Sequence, residues 1–417
     1  MSPHPLVLPQ RIDSQSGVQP ESRAAASARL ERVRRDFLLF AQPAVGQEEI
    51  DEVADTIRSG WITTGLRTHQ FEAAFKDRVD APAALAVTSC TAGLHLALLI
   101  SGVQPGDEVI TSPLAFYGCA NAIEHLGAVP RFADVAADTL TLDPSSVEAA
   151  VTPRTRAVLA GHYAGHPAEL DSLRDIAERR HLSLVEDAAD AMPASYKGRL
   201  IGSGENVAAF SFHSTKNLTT GEGGMLTGSP ECIARARLLA LQGTNRDAWQ
   251  RSGPLGSWLY QVHEAGFKYR MTDIPAALGL AQLRQLDEFQ RRRRLIAALY
   301  TEAFRQIDAL ETPTERPEVE HAWHLYVLRL RLGALRIGRS RFIEELRARN
   351  IGSSVHFIPI HLQPYYQTRY AHRPDQFPVA LGNYQRMISL PLHPRMSDED
   401  ASDVVEAVVD VVSRFSR

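Results

Sequence analysis

Between residues 83 and 186 the chain repeats one pattern: a short apolar run, a turn, then a stretch whose apolar residues recur at helical spacing. The apolar runs fall at 83–87, 108–111, 129–132, 157–161 and 182–186, and the helical stretches at 92–101, 117–126, 144–151 and 169–180. Runs so short and mainly apolar are buried on both faces, and the helices between them supply the crossovers that parallel strands need. The pattern predicts an α/β domain whose sheet is mainly parallel and covered on both faces. In such sheets ligands sit beyond the carboxyl ends of the strands, so chemistry is sought in the residues that follow each run.

The remaining chain extends this plan. Helices are expected at 48–59 and 70–79, and another near 233–241. A polar loop over 242–266 leads to a long helix over 272–304. That helix carries four consecutive arginines, Arg291 to Arg294, which wrap all its sides and read as a solvated face. Strands return at 323–332, 353–357 and 388–390, interleaved with helices at 339–349 and 398–413, which reads as a smaller C-terminal α+β domain. Residues 1–37 are rich in Ser, Arg, Ala and Gln with few apolar anchors and read as a mobile arm, with a helix possible over 21–36. The expected division is an arm at 1–37, a large domain at 38–290 and a small domain at 291–417.

At 417 residues the chain is long enough for two domains, and a net charge of −4 argues against nucleic acid or an anionic membrane as the main partner. No apolar run approaches a spanning helix, and the run 5–9 is too short for a signal peptide. Cys90, Cys119 and Cys232 are odd in number and lack metal-ligand spacing, which fits a reducing cytoplasm and gives no metal site.

The chemistry is placed in the stretch 210–225, FSFHSTKNLTTGEGGM, where Lys216 lies between an apolar strand at 207–210 and a glycine-rich turn. An amine at a strand's carboxyl end, if partly desolvated, has a lowered pKa and can form a Schiff base with a carbonyl. Asp187 ends the strand at 182–186 and can reach the same crevice, where a buried carboxylate needs a cation such as a protonated pyridine nitrogen. The segment 88–94, TSCTAGL, opens a helix with small residues, so its backbone N–H groups form a phosphate cradle to which Ser211 can add a hydroxyl. Phe116 follows another strand end, where a flat ring can stack on a cofactor. An amine, an acid, an aromatic face and a phosphate cradle together match the needs of pyridoxal phosphate.

With these residues in view, the chain from about residue 38 resembles the DegT/DnrJ/EryC1/StrS family of pyridoxal-phosphate sugar aminotransferases. Eight ordered segments carry the resemblance: SGWITTG, TSCTAGLHLAL, VEDAADA, FSFHSTKNLTTGEGGM, GFKYRMTDIPAALGLAQL, HLYVLRL, VHFIPIHLQPYY and SLPLHP. It implies fold type I, with a mixed, mainly parallel seven-stranded sheet in the large domain. Lys216 would hold the cofactor as a Schiff base and move the substrate proton, and Asp187 would pair with the pyridine nitrogen. Phe116 would stack on the ring, while Cys90, Thr91, Ala92 and Ser211 would surround the phosphate. Lys268, in GFKYRM, would reach the phosphate of the partner subunit, which implies a homodimer with shared sites. Thr64, His356, His361 and Tyr365 would face the substrate.

Asp190 is the departure, because many family members carry Gln or His at that point, near the ring's phenolic oxygen. It is expected to be protonated, to turn away, or to pair with a nearby base. The implied reaction moves an amino group from L-glutamate to a keto carbon of a nucleotide-linked deoxy sugar. The TTGEGGM form resembles members acting at C4 more than at C3. The alternatives are action on a C3 keto sugar or a cyclitol ketone, and an inert cofactor-binding regulatory protein. The related dehydratase branch has histidine in place of the lysine, which Lys216 argues against.

Overall fold

The computed structural model describes residues 34–204, 206–245 and 258–417. Residues 1–33, and with them most of the expected arm and its helix, lie outside the described residues. The chain is already tied down at Arg34, which pairs with Asp400 and, at 2.9 Å, with Asp403, while Asn350 Nδ2 donates to its carbonyl at 2.7 Å.

Helices α1 (Gln47–Arg58) and α2 (Leu66–Val79) precede the alternating run. That run comprises β1 (Ala83–Val87), α3 (Cys90–Ile100), β2 (Glu108–Thr111), α4 (Gly118–His125), β3 (Val129–Phe132), α5 (Pro144–Ala150), β4 (Thr155–Gly161), α6 (Leu170–Arg180) and β5 (Ser183–Asp187). A short hairpin, β6 (Ser195–Tyr196) and β7 (Arg199–Leu200), leads to β8 (Val207–Ser211), β9 (Gly224–Gly228) and α7 (Pro230–Ala240). The seven-stranded sheet has the order β1-β9-β8-β5-β4-β2-β3. It is parallel except for β9, which runs antiparallel to β1 and to β8. Alternate residues serve opposite layers: Val109 and Leu159 pack with α3, α4 and α7, while Ile110, Val158 and Ala160 pack with α5 and α6. Near β8 the second layer is aromatic, with Phe71 and Phe75 of α2 against Phe210 and Phe212, each fully buried and worth about 2 kcal/mol or more in area removed from water.

Helix α8 (Asp273–Phe304) has 32 residues and is about 48 Å long at 1.5 Å per residue. Its first half packs on the large sheet through Ala276 and Leu286, and its second half enters a separate core through Ile296, Tyr300 and Phe304. That core also holds a three-stranded antiparallel sheet. The strands are β10 (Leu310–Glu311), β12 (Tyr326–Leu330) and β13 (Met387–Leu390), while β11 (Val319–Glu320) pairs instead with β6. Helices α9 (Arg339–Ala348) and α12 (Asp398–Phe415) cover it, and the short α10 (Pro364–Tyr370) and α11 (Pro378–Tyr384) lie between them in sequence.

Three expectations change. The segment 353–357 is not a strand; it makes only the bridge Ser354 to Ser389. The strand expected from 323 begins at Tyr326, because Trp323 takes φ 48°, a left-handed conformation that no strand accepts. The four arginines are not one solvated face. Arg293 is buried, and its Nη1 donates to the carbonyls of Leu392 at 2.7 Å and of Trp323 and His324 at 3.3 Å each, because the helix turns this position toward the loop 321–325. Burial lowers the Arg293 pKa to about 9.

Candidate active site

The carboxyl ends of β4, β5 and β8, the start of α3 and the loop before α4 surround a cavity of about 580 Å³. Cys90, Thr91, Phe116, Asp187, Asp190, Ser211, Lys216 and His356 all line it. These candidates come from five separate stretches of sequence, 90–91, 116, 187–190, 211–216 and 356, and the fold brings them together.

Lys216 follows β8 in a tight turn, its N–H donating to the His213 carbonyl at 2.9 Å. Its Nζ lies 2.5 Å from Asp190 Oδ1. Burial works to lower the pKa of this amine, but the Asp190 carboxylate outweighs burial and the net shift is upward. The lowered value expected from desolvation alone is therefore corrected: the resting lysine is an ion-paired ammonium. Of the three possibilities for Asp190, the structure shows pairing with a base. Burial raises the Asp190 pKa, yet the charge of Lys216 and the hydrogen bond from it bring it down to about 2. Its Oδ2 accepts the Ala164 N–H at 3.2 Å.

Asp187 is held differently. Its Oδ1 accepts the Ala189 N–H at 3.0 Å, and its Oδ2 lies 2.8 Å from the Cys119 thiol. Burial raises its pKa above the usual carboxylate range, and among the described residues no cation pairs with it. A carboxylate placed this way is completed by a positive ligand group. The Cys90 and Cys119 thiols beside it are pushed well up by burial first and by Asp187 second, so both remain thiols.

Helix α3 is capped by Ser89, whose Oγ accepts the Ala92 N–H at 3.1 Å. Ala92 thus spends its N–H on the cap, which leaves the first-turn N–H groups of Cys90 and Thr91, with no acceptor four residues back, to face an anion. Gly224 of β9 closes the other side of this turn. A Cβ there would lie 2.7 Å from Cys90 N and from Ser89 C, so the close approach requires glycine. Phe116 is 46% exposed and lines the cavity. These donors, an acid with no cation beside it among the described residues, the flat ring and the Lys216 amine fit pyridoxal phosphate.

His356 lines the cavity with Nδ1 2.9 Å from Ser389 Oγ, and burial lowers its pKa to about 4. His361, expected at the substrate, is fully buried and meets the Pro374 carbonyl at 3.1 Å, packed on Phe377; it is a core group, not a cavity group. Tyr365 is 54% exposed and stacks edge-on against Tyr366, away from the cavity. Thr64 is buried, its hydroxyl donating to the Met271 carbonyl at 2.6 Å, and neither it nor the exposed Lys268 lines the cavity of its own chain. Sequence reasoning missed Cys119, Asn217 and His324. The last two lie in the FSFHSTKNLTTGEGGM and HLYVLRL segments, but nothing in their spacing marked them out.

Comparison with known proteins agrees with this geometry. Residues 43–409 match the DegT/DnrJ/EryC1/StrS aminotransferase family. The spore coat polysaccharide biosynthesis protein SpsC of Bacillus subtilis is 49% identical over 381 residues, 91% of this chain and 98% of that protein. Among solved structures, the PLP form of Spr1654 from Streptococcus pneumoniae superposes with a TM-score of 0.84 at 32% identity, covering 91% of this chain and 99% of that one. The sugar aminotransferase CalS13 from Micromonospora echinospora superposes with a TM-score of 0.80 at 30% identity, covering 89% and 99%. The chain therefore belongs to the DegT/DnrJ/EryC1/StrS aminotransferase family and is a pyridoxal-phosphate-dependent aminotransferase of fold type I.

Proposed function

We propose that the protein moves the amino group of L-glutamate to the C4 keto carbon of a nucleotide-linked deoxy sugar. The observation that carries this reading is the buried Lys216 amine, held by Asp190 in a cavity large enough for a sugar beside the α3 N-terminus. Similarity to CalS13 and SpsC, one a sugar aminotransferase and the other a polysaccharide biosynthesis protein by name, supports a sugar as acceptor. The TTGEGGM form of the lysine loop favours C4.

When bound, pyridoxal phosphate supplies an aldehyde for amines and a ring that stores an electron pair. Asp187 holds a negative charge where the ring nitrogen needs one. The N–H groups of Cys90 and Thr91, with the Ser211 hydroxyl, would bind the phosphate, and Phe116 would pack on the ring. Lys216 takes the proton from the donor's carbon and delivers it to the acceptor's. Ala92 acts through the α3 cap, and His356 meets the sugar.

The same reading makes the protein a cytoplasmic homodimer in which Lys268 serves the partner's phosphate, with the large unit over 38–290 and the small one over 291–417. Trp258 and Val262, 85% and 64% exposed beside that loop, are apolar surface for a second copy to cover. Adding L-glutamate to the cofactor-loaded protein should bleach its aldehyde-form absorbance with release of 2-oxoglutarate, and a nucleotide 4-keto sugar should restore it. Restoration by a 3-keto sugar or cyclitol ketone alone overturns the acceptor, and no bleaching overturns the donor.

A further inference from the structure

The Asn217 side chain settles where His324 carries its proton. Asn217 Nδ2 donates to the Met192 carbonyl at 2.9 Å and to the Ala322 carbonyl at 2.8 Å, which uses both of its hydrogens. Its Oδ1 then faces His324 Nδ1 at 3.2 Å and can only accept, so Nδ1 bears the hydrogen. His324 is buried, and burial holds its pKa well below the ordinary value, so the resting ring is neutral and Nε2 is a bare lone pair. His324 Nε2 lies 3.4 Å from Asp190 Oδ1, the same oxygen that lies 2.5 Å from Lys216 Nζ. The backbone that carries His324 is pinned on both sides: its N–H donates to the Ala164 carbonyl at 3.1 Å, and its carbonyl accepts from Arg293 at 3.3 Å.

We propose that Asp190 and His324 form a proton relay for Lys216, ending at His324 Nε2. The inference rests on the reading of Lys216 as the Schiff-base lysine. An ammonium cannot attack an aldehyde, and the Asp190 pairing keeps Lys216 an ammonium at rest. In the relay one proton leaves Nζ for Asp190 Oδ1 and one arrives at Nε2, so the total charge of the site is unchanged. The freed amine forms the N–C bond. One hydrogen from the attacking nitrogen and the stored proton both reach the aldehyde oxygen, which departs as water when the C–O bond breaks, and the nitrogen keeps its second hydrogen in a cationic Schiff base. Asp190 favours a proton on Nε2, while burial and the charges of Lys216 and Arg293 oppose it; His356, which burial keeps neutral, is the other titratable neighbour. Loss of the Lys216 charge removes one of these opponents at the moment Nε2 is needed. Asp187 and Cys90 face Lys216, and His321 lies on the same loop as His324.

The test follows growth of the Schiff-base absorbance after pyridoxal phosphate is added to the full-length apoprotein across a pH series, for wild type and His324→Asn. Asparagine can keep the contact with Asn217 but has no basic nitrogen. Wild type should react with a shallow pH dependence, and H324N about a hundredfold more slowly at neutral pH, climbing with hydroxide. An H324N protein with wild-type rate and pH profile overturns the relay. Borohydride reduction and peptide mapping separate this from the underlying reading: a missing pyridoxyl adduct at Lys216 in wild type sinks the lysine assignment itself. Histidine ¹⁵N NMR of the wild-type apoprotein needs no variant. It should show His324 with hydrogen on Nδ1 alone, and hydrogen on Nε2 overturns the proposal.

Discussion

At the scale of single residues, the site is governed by two acids that meet opposite needs. Asp190 is charged because Lys216 is beside it, and Asp187 has no cation beside it among the described residues. Replacing Lys216 by Arg keeps the Asp190 pairing but removes the nucleophile, so amino transfer should fall by about a thousandfold or more in a coupled 2-oxoglutarate assay. Asp190→Asn should destabilise the apoprotein near neutrality by about 3 kcal/mol, as removal of one member of a buried pair does. The sign with pH follows from the depressed pKa. The carboxylate's contribution is present above its unfolded value and lost as pH falls toward about 2, so the Tm gap between wild type and D190N should narrow in acid. Lys216, Asp187 and Phe116 were legible in the sequence because each lies at the end, or within five residues beyond the end, of a strand that its own apolar run announces. His324 was not, because its role depends on an amide, Asn217, more than a hundred positions away.

Elements tell the same story with different causes. Strands β1, β2 and β3 begin and end where their apolar runs do, since burial on both faces leaves little else for those residues to be. Strand β9 was hidden because its first residue, Gly224, follows Gly221 and Gly223 and reads as part of a breaker. Here Gly224 answers to the crowding against α3, not to a turn. Gly224→Ala should therefore displace the start of α3 and weaken pyridoxal phosphate binding about tenfold or more, measured by equilibrium dialysis, since phosphate cradles depend on backbone approach. Arg293 was hidden among its neighbours because a run of four identical charges gives no sign of which one faces inward. Arg293→Met strands three buried carbonyls and should cost about 3 kcal/mol in denaturant unfolding, whereas Arg291→Ala on the exposed side should leave Tm unmoved.

For the whole molecule, the claim to test is sharing of sites between two copies. Lys216→Ala and Lys268→Ala proteins, each impaired alone, should regain activity when unfolded together and refolded. Random pairing makes about a quarter of the sites intact in a two-fold dimer. No recovery in a mixture that light scattering shows to be dimeric would confine each site to one chain. The architecture was legible at this scale because strand and helix alternate without interruption through the first half. The partition of the second half was less so, since one helix belongs to both cores. That helix has a mechanical consequence. A rod with each end cemented into a different mass resists bending, so any motion of the small unit over the cavity should be torsion about the rod's own axis. Spin labels on the two units should then report changing angle at nearly constant separation as ligand is added.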